Sequence, residues 1–145
     1  MLLGAINLLK ERLTIRNKLR GKSDSVWTRG EDAATAHFRK LGYKILDRNL
    51  RLSMGEIDVL CLEPKSNTLV VVEVKARQKT KTDSRRIDPE ANITAHKKIK
   101  LRTLARALQQ QDKYAGLPIR IDVIAVVFEQ GTRAPIELRH YESAV

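Results

Sequence analysis

Between Leu69 and Ala76 the chain reads LVVVEVKA, an apolar, valine-rich run interrupted only by Glu73 and Lys75. It reads as a strand, and its valines imply at least partial burial. A second apolar stretch, Glu56 to Leu62, carries Glu56 and Asp58 near its start, and Pro64, Ser66 and Asn67 mark the turn between the two. Side chains alternate along a strand, so Glu73 and Lys75 share a face, as do Glu56 and Asp58. If the strands pair, Asp58, Glu73 and Lys75 converge on one point. Charge set into a valine-rich strand is costly unless it is paired or bound to a metal. The stretch from Met54 to Arg77 therefore constrains fold and chemistry together.

The flanking segments supply the other elements. Residues 2–20 have the apolar spacing of an amphipathic helix, followed by a break from Gly21 to Ser25. Thr28 is the expected N-cap of a second helix, with Glu31 three positions on completing a capping box. That helix is expected from Arg29 to about Leu41, burying Ala34, Phe38 and Leu41 and ending at Gly42. Tyr43 to Leu50 alternates as a first strand. Arg77 to Asn92, polar, basic and containing Pro89, reads as a mobile loop. Asn92 or Thr94 caps a long helix to about Gln111, with Leu101, Leu104, Ala105 and Leu108 toward the core; Gly116 and Pro118 stop it. Ile119 to Phe128 and the short Ile136 to Tyr141 are the last strands. The expected class is α/β: an αβββαβ core with a central mixed sheet flanked by helices, a final strand, and an N-terminal helical arm. The long helix acts as the crossover between two parallel strands.

A chain of 145 residues fits one domain with one core, and 42% hydrophobic residues can fill that core. The division expected is an arm over 1–28 and a main domain over 29–145. The single cysteine, Cys61, can form neither an intrachain disulfide nor a CxxC metal site, which suits a reducing cytoplasmic setting. No run of about 18 apolar residues is present to span a bilayer, and the start lacks the pattern of a signal peptide.

The net charge of +11 is unevenly spread. Residues 1–28 hold six Lys or Arg against two acids, and residues 77–106 hold ten against three; the rest is nearly balanced. A basic excess concentrated in this way fits a nucleic-acid partner. Arg77, Lys79, Lys81, Arg85, Arg86, Lys97 and Lys98 follow the second charged strand and are expected to deliver a phosphodiester to it. Asp58 and Glu73 would repel one another, and a hard cation such as Mg2+ (or Mn2+) removes that repulsion through oxygen ligands, with the Val74 carbonyl as a further donor. Lys75 would orient or activate water and offset charge in the transition state. The bland alternative is a Glu73 salt bridge to Lys75 or Arg77 on a solvated face. His37, His96 and His140 form no metal-ligand pair in sequence, and no nucleophilic triad or phosphate-binding glycine loop is present. Asp122, in an apolar strand, reads as the structural partner of an arginine.

Four segments together resemble one known family: Gly30-Glu31-x-x-Ala34; Gly42-Tyr43-x-Ile45-Leu46-x-x-Asn49-x-Arg51; Gly55-Glu56-Ile57-Asp58; and Val72-Glu73-Val74-Lys75-Ala76-Arg77. The pattern is similar to that of the YraN-like endonucleases, a branch of the PD-(D/E)XK superfamily with the restriction-endonuclease-like fold and similar to archaeal Holliday junction resolvases. The resemblance covers about residues 29–128. It implies Asp58, Glu73 and Lys75 as the catalytic set, with Glu31 contributed by the first helix, and places Lys97 or Lys98 at a lysine that opens the long helix. The expected function is Mg2+-dependent hydrolysis of DNA, selective for branched or junction structure, with a homodimer left open. Two other classes compete: a non-catalytic nucleic-acid-binding protein on the same fold, and a peripheral membrane protein held by the arm.

Overall fold

The computed structural model describes residues 25–82 and 93–145. The arm up to residue 24, Arg85 and Arg86 lie outside the described residues. Helix α1 (Val26–Lys40) starts three residues ahead of the expected Arg29. The Ser25 hydroxyl accepts the Thr28 N–H at 3.2 Å, so Ser25 is the N-cap and Thr28 lies within the first turn. Glu31 therefore takes no part in a capping box. Gly30, Ala34, Thr35 and Phe38 form the buried stripe. Leu41, expected in the core, is the C-cap and 52% exposed, because the helix ends there before Gly42 turns the chain at a φ of 87°.

Three strands follow, β1 (Lys44–Leu52), β2 (Gly55–Glu63) and β3 (Thr68–Lys79). Helix α2 (Ala95–Gln109) comes next, then β4 (Ile119–Glu129) and β5 (Pro135–Tyr141). The five strands form one sheet in chain order. β1 to β3 are successively antiparallel, β3 and β4 are parallel, and β5 returns antiparallel. The expected αβββαβ order with a final strand is what forms, and α2 is the crossover between β3 and β4. The Thr94 hydroxyl accepts the Lys97 N–H at 3.2 Å and caps α2. β3 outlasts its expected end at Ala76: pairing with β4 continues to Lys79 opposite Glu129, which places Arg77 and Lys79 on a strand and not in a loop.

The alternation of β3 feeds two cores. Val70, Val72 and Val74 pack under α1 with Phe38, Ile124 and Phe128. Leu69 and Val71 pack under α2 with Leu101, Leu104 and Leu108. Each such side chain contributes roughly 1.5–3 kcal/mol by leaving water, so both helices are held by apolar burial.

The fully buried Asp122 of β4 is satisfied on all sides. Arg120 Nε donates to Asp122 Oδ1 at 3.0 Å, His140 Nε2 lies 2.8 Å from Oδ2, and the Ser143 N–H donates at 3.0 Å. Burial by itself raises the carboxyl pKa; these hydrogen bonds outweigh it and hold Asp122 below its usual value. Arg120 also donates to the Tyr43 hydroxyl at 2.7 Å. The arginine partnership expected for Asp122 is present, joined by a histidine.

Candidate active site

β2 and β3 pair from Glu63 opposite Thr68 as far as Val59 opposite Val72, and there the ladder stops. Asp58 is the next residue of β2, and on its other side β1 stays in register around it. Arg48 pairs with Val59 and Leu50 with Ile57, and between them Asn49 takes a φ of 50° beside Asp58. The opening leaves the Val74 N–H without a main-chain acceptor on β2, and Asp58 Oδ2 accepts it at 2.8 Å. A residue's N–H and C=O leave an extended strand on the same edge, so the Val74 carbonyl faces the same gap.

Glu73 is the residue that continued pairing would set opposite Asp58. It is 5% exposed, and its Oε1 lies 3.4 Å from the Lys75 ammonium and 3.2 Å from that of Lys97 at the start of α2. The Glu73–Lys75 salt bridge therefore exists, but on a buried face and with a second lysine. Asp58 has no such cation at hydrogen-bond distance among the described ion pairs. Burial, then repulsion from Glu73, push its carboxyl up to about 7, against the smaller opposing pull of the Val74 N–H. Glu31 adds to that repulsion, which places its charge within range of the same gap. Gly30 makes this approach possible: a Cβ there would fall on the Ala76 Cβ, so only glycine lets α1 lie this close to β3. Arg48 Nη2 holds Asp32 at 2.7 Å and lies 3.8 Å from Glu31 Oε2.

The structure thus gathers Asp58, Glu73, Val74, Lys75 and Lys97 around one break in the sheet, with Glu31 flanking it. A family model described as "Uncharacterised protein family UPF0102" matches residues 30–126. The chain belongs to this family. The UPF0102 protein of Pelobacter propionicus is 34% identical over 110 residues, covering 76% of each chain. That of Desulforamulus reducens is 32% identical over 118 residues, 81% of this chain and 92% of its own. That of Caldicellulosiruptor saccharolyticus is 37% identical over 97 residues, 67% and 77% respectively. The UPF0102 match opens at Gly30, one residue before Glu31, and closes inside β4, so it spans the whole cluster.

The remaining basic residues of this UPF0102 chain divide by position. Lys79 and Lys81 are exposed at the outgoing end of β3, Arg77 is half-buried beside them, and Lys98 is half-buried on the first turn of α2. Lys97, expected to face phosphate, instead touches Glu73. Arg48 was not singled out by sequence reasoning; its only signal was a cation within a strand facing the helix that bears Glu31 and Asp32. Among the described residues no three His, Cys, Asp or Glu side chains form a metal-holding group, and no helix is long and apolar enough to cross a membrane.

Proposed function

We propose that this UPF0102 protein is a divalent-metal-dependent endonuclease of the PD-(D/E)XK type, with a restriction-endonuclease-like fold, that hydrolyses DNA phosphodiesters and selects branched or junction DNA by its shape. The observation that carries the reading is the break in the β2–β3 ladder, where Asp58 replaces a main-chain acceptor beside a buried Glu73 and its lysine pair. The donor set fits a hard cation: two carboxylates and the Val74 carbonyl supply oxygens only, and water would complete the shell. When bound, Mg2+ or Mn2+ polarises the phosphate and lowers the pKa of an attacking water. Asp58 Oδ2 is anchored by the Val74 N–H, which holds the carboxylate at the break in the ladder. Lys75 and Lys97 keep positive charge at the point where the phosphate builds negative charge. Glu31, half-buried on α1, adds negative charge near the gap without joining Asp58 and Glu73 as a third grouped ligand. A reducing cytoplasmic location belongs to the same reading and agrees with the free, buried Cys61.

Purified protein incubated with branched, flapped and linear DNA in Mg2+ or Mn2+ should cleave the branched forms, and Asp58→Asn and Lys75→Ala should abolish cleavage. Undiminished activity in both variants would trace the cutting to a contaminant. One observation favours a second reading, a non-catalytic DNA-binding protein on this fold: two ammonium groups already neutralise Glu73 without a metal. Calorimetric titration with Mn2+ separates the two. The nuclease reading requires metal binding that Glu73→Gln removes and that tightens between pH 6 and pH 8 as Asp58 ionises.

A further inference from the structure

We infer that Trp27 is a stacking platform for one unpaired nucleobase beside the candidate site, so that the DNA taken by the proposed nuclease carries an unpaired nucleotide next to the cut. The inference rests on the nuclease reading and narrows its substrate class.

Trp27 is the only tryptophan of the chain, and it is 61% exposed. It lies three residues before Gly30 and four before Glu31, on the helix face those residues share. Gly30, Ala34 and Phe38 on that stripe are buried against the sheet. Trp27 extends the stripe one turn further, past the Gly30–Ala76 contact. The indole thus stands exposed where the buried stripe ends, with no ring, cation or hydrogen-bond partner among the described residues. Nothing in helix formation calls for it, since tryptophan is a weaker helix former than lysine, arginine or glutamine.

The surroundings specify the occupant. From Ala76 β3 runs on to the exposed Lys79 and Lys81, which with Thr80, Glu129 and Gln130 line a recess of about 370 Å³ at the same end of the sheet. One helical turn along α1 from Trp27 is Glu31, which flanks the candidate site. An exposed indole on the helix that carries Glu31, at the end of the sheet that carries Lys79 and Lys81, matches a nucleotide: base on the ring, phosphate on the ammonium groups. At 4% aromatic residues the chain has no row of such platforms, so it holds one base and not a strand of them. A base inside a duplex is stacked on its neighbours and cannot reach the indole; a base at a flap or branch can.

Because the chain has one tryptophan, its emission reports on this position alone. The full chain would be titrated in EDTA, where nothing is cut, with a single strand, a flap and a blunt duplex of equal length, while anisotropy of labelled DNA follows binding. Single strand and flap should quench the indole and the duplex should bind without quenching it. Trp27→Ala should weaken flap binding by roughly 5- to 150-fold and leave duplex binding within about twofold, with Trp27→Phe restoring most of the loss. Bound flap without quenching, or equal quenching by the duplex, overturns the platform. So does emission that is blue-shifted and shielded from acrylamide before DNA is added, since the arm or a second copy would then cover the ring. If no DNA binds either in EDTA or with Ca2+ added, the nuclease reading falls with it; if flap is bound and cut equally well by Trp27→Ala, the platform alone falls.

Discussion

Asp58 holds a proton more tightly than a free aspartate because it is buried and faces Glu73, which together bring its pKa to about 7. The folded chain therefore binds more protons here than the unfolded chain between about pH 4 and pH 7. Stability from this group is full below pH 4 and is lost as pH rises through 7. Asp58→Asn, measured in EDTA by thermal melts, should match the parent at pH 4 and gain about 2–4 kcal/mol over it at pH 8; a gain independent of pH would contradict the assignment. Asp122 is the opposite case. Its pKa is lowered, so its contribution is present at neutral pH and fades as acid protonates it. Arg120→Met would leave this fully buried carboxylate without its arginine, with only His140 and the Ser143 N–H as partners, and should cost about 3–5 kcal/mol in urea unfolding. Asp58, Glu73 and Lys75 were legible in the sequence because charge in a valine run demands a reason. The contacts of Lys97 and Arg48 were not, since they depend on how two helices sit on the sheet.

At the level of elements, the site exists because α1 lies unusually close to β3. Gly30→Ala should push the helix off Ala76 and cost about 1–3 kcal/mol. The double variant with Ala76→Gly should recover most of that loss, which a double-mutant cycle on urea midpoints would read. The types and order of the elements followed from periodicity and turn residues, but their ends did not. Ser25 took the cap from Thr28 because its hydroxyl reaches the Thr28 N–H. β3 ran on to Lys79 because β4, far away in sequence, offered it partners. Propensity cannot see a neighbour fifty residues distant.

For the molecule as a whole, charge decides how DNA would be met. The basic excess at residues 77–106 was readable from composition; among the described residues the structure divides it between the Glu73 contact of Lys97, the exposed Lys100, Arg102 and Arg106 of α2, and the exposed end of β3. DNA affinity should fall steeply and log-linearly with salt, and Lys79→Ala with Lys81→Ala should reduce that slope by about 1 for each lysine that touches phosphate. A slope unchanged in the double variant, measured by anisotropy over a salt series, would move the DNA path elsewhere. The parallel course of β3 and β4 was legible from the helix between them, whereas the order of the strands in the sheet was not, because a crossover does not say which strands lie side by side.

The hydrogen bond between the Val74 N–H and Asp58 ties a strand's main chain to an ionisable side chain. Backbone spectroscopy of β3 can therefore report on Asp58: the Val74 amide resonance should move as Asp58 titrates, and a second movement on adding Mn2+-free Mg2+ would test the proposed cation without any substrate. It also means that truncating Asp58 to alanine would unhook the strand as well as remove the charge, whereas asparagine keeps an oxygen for that amide.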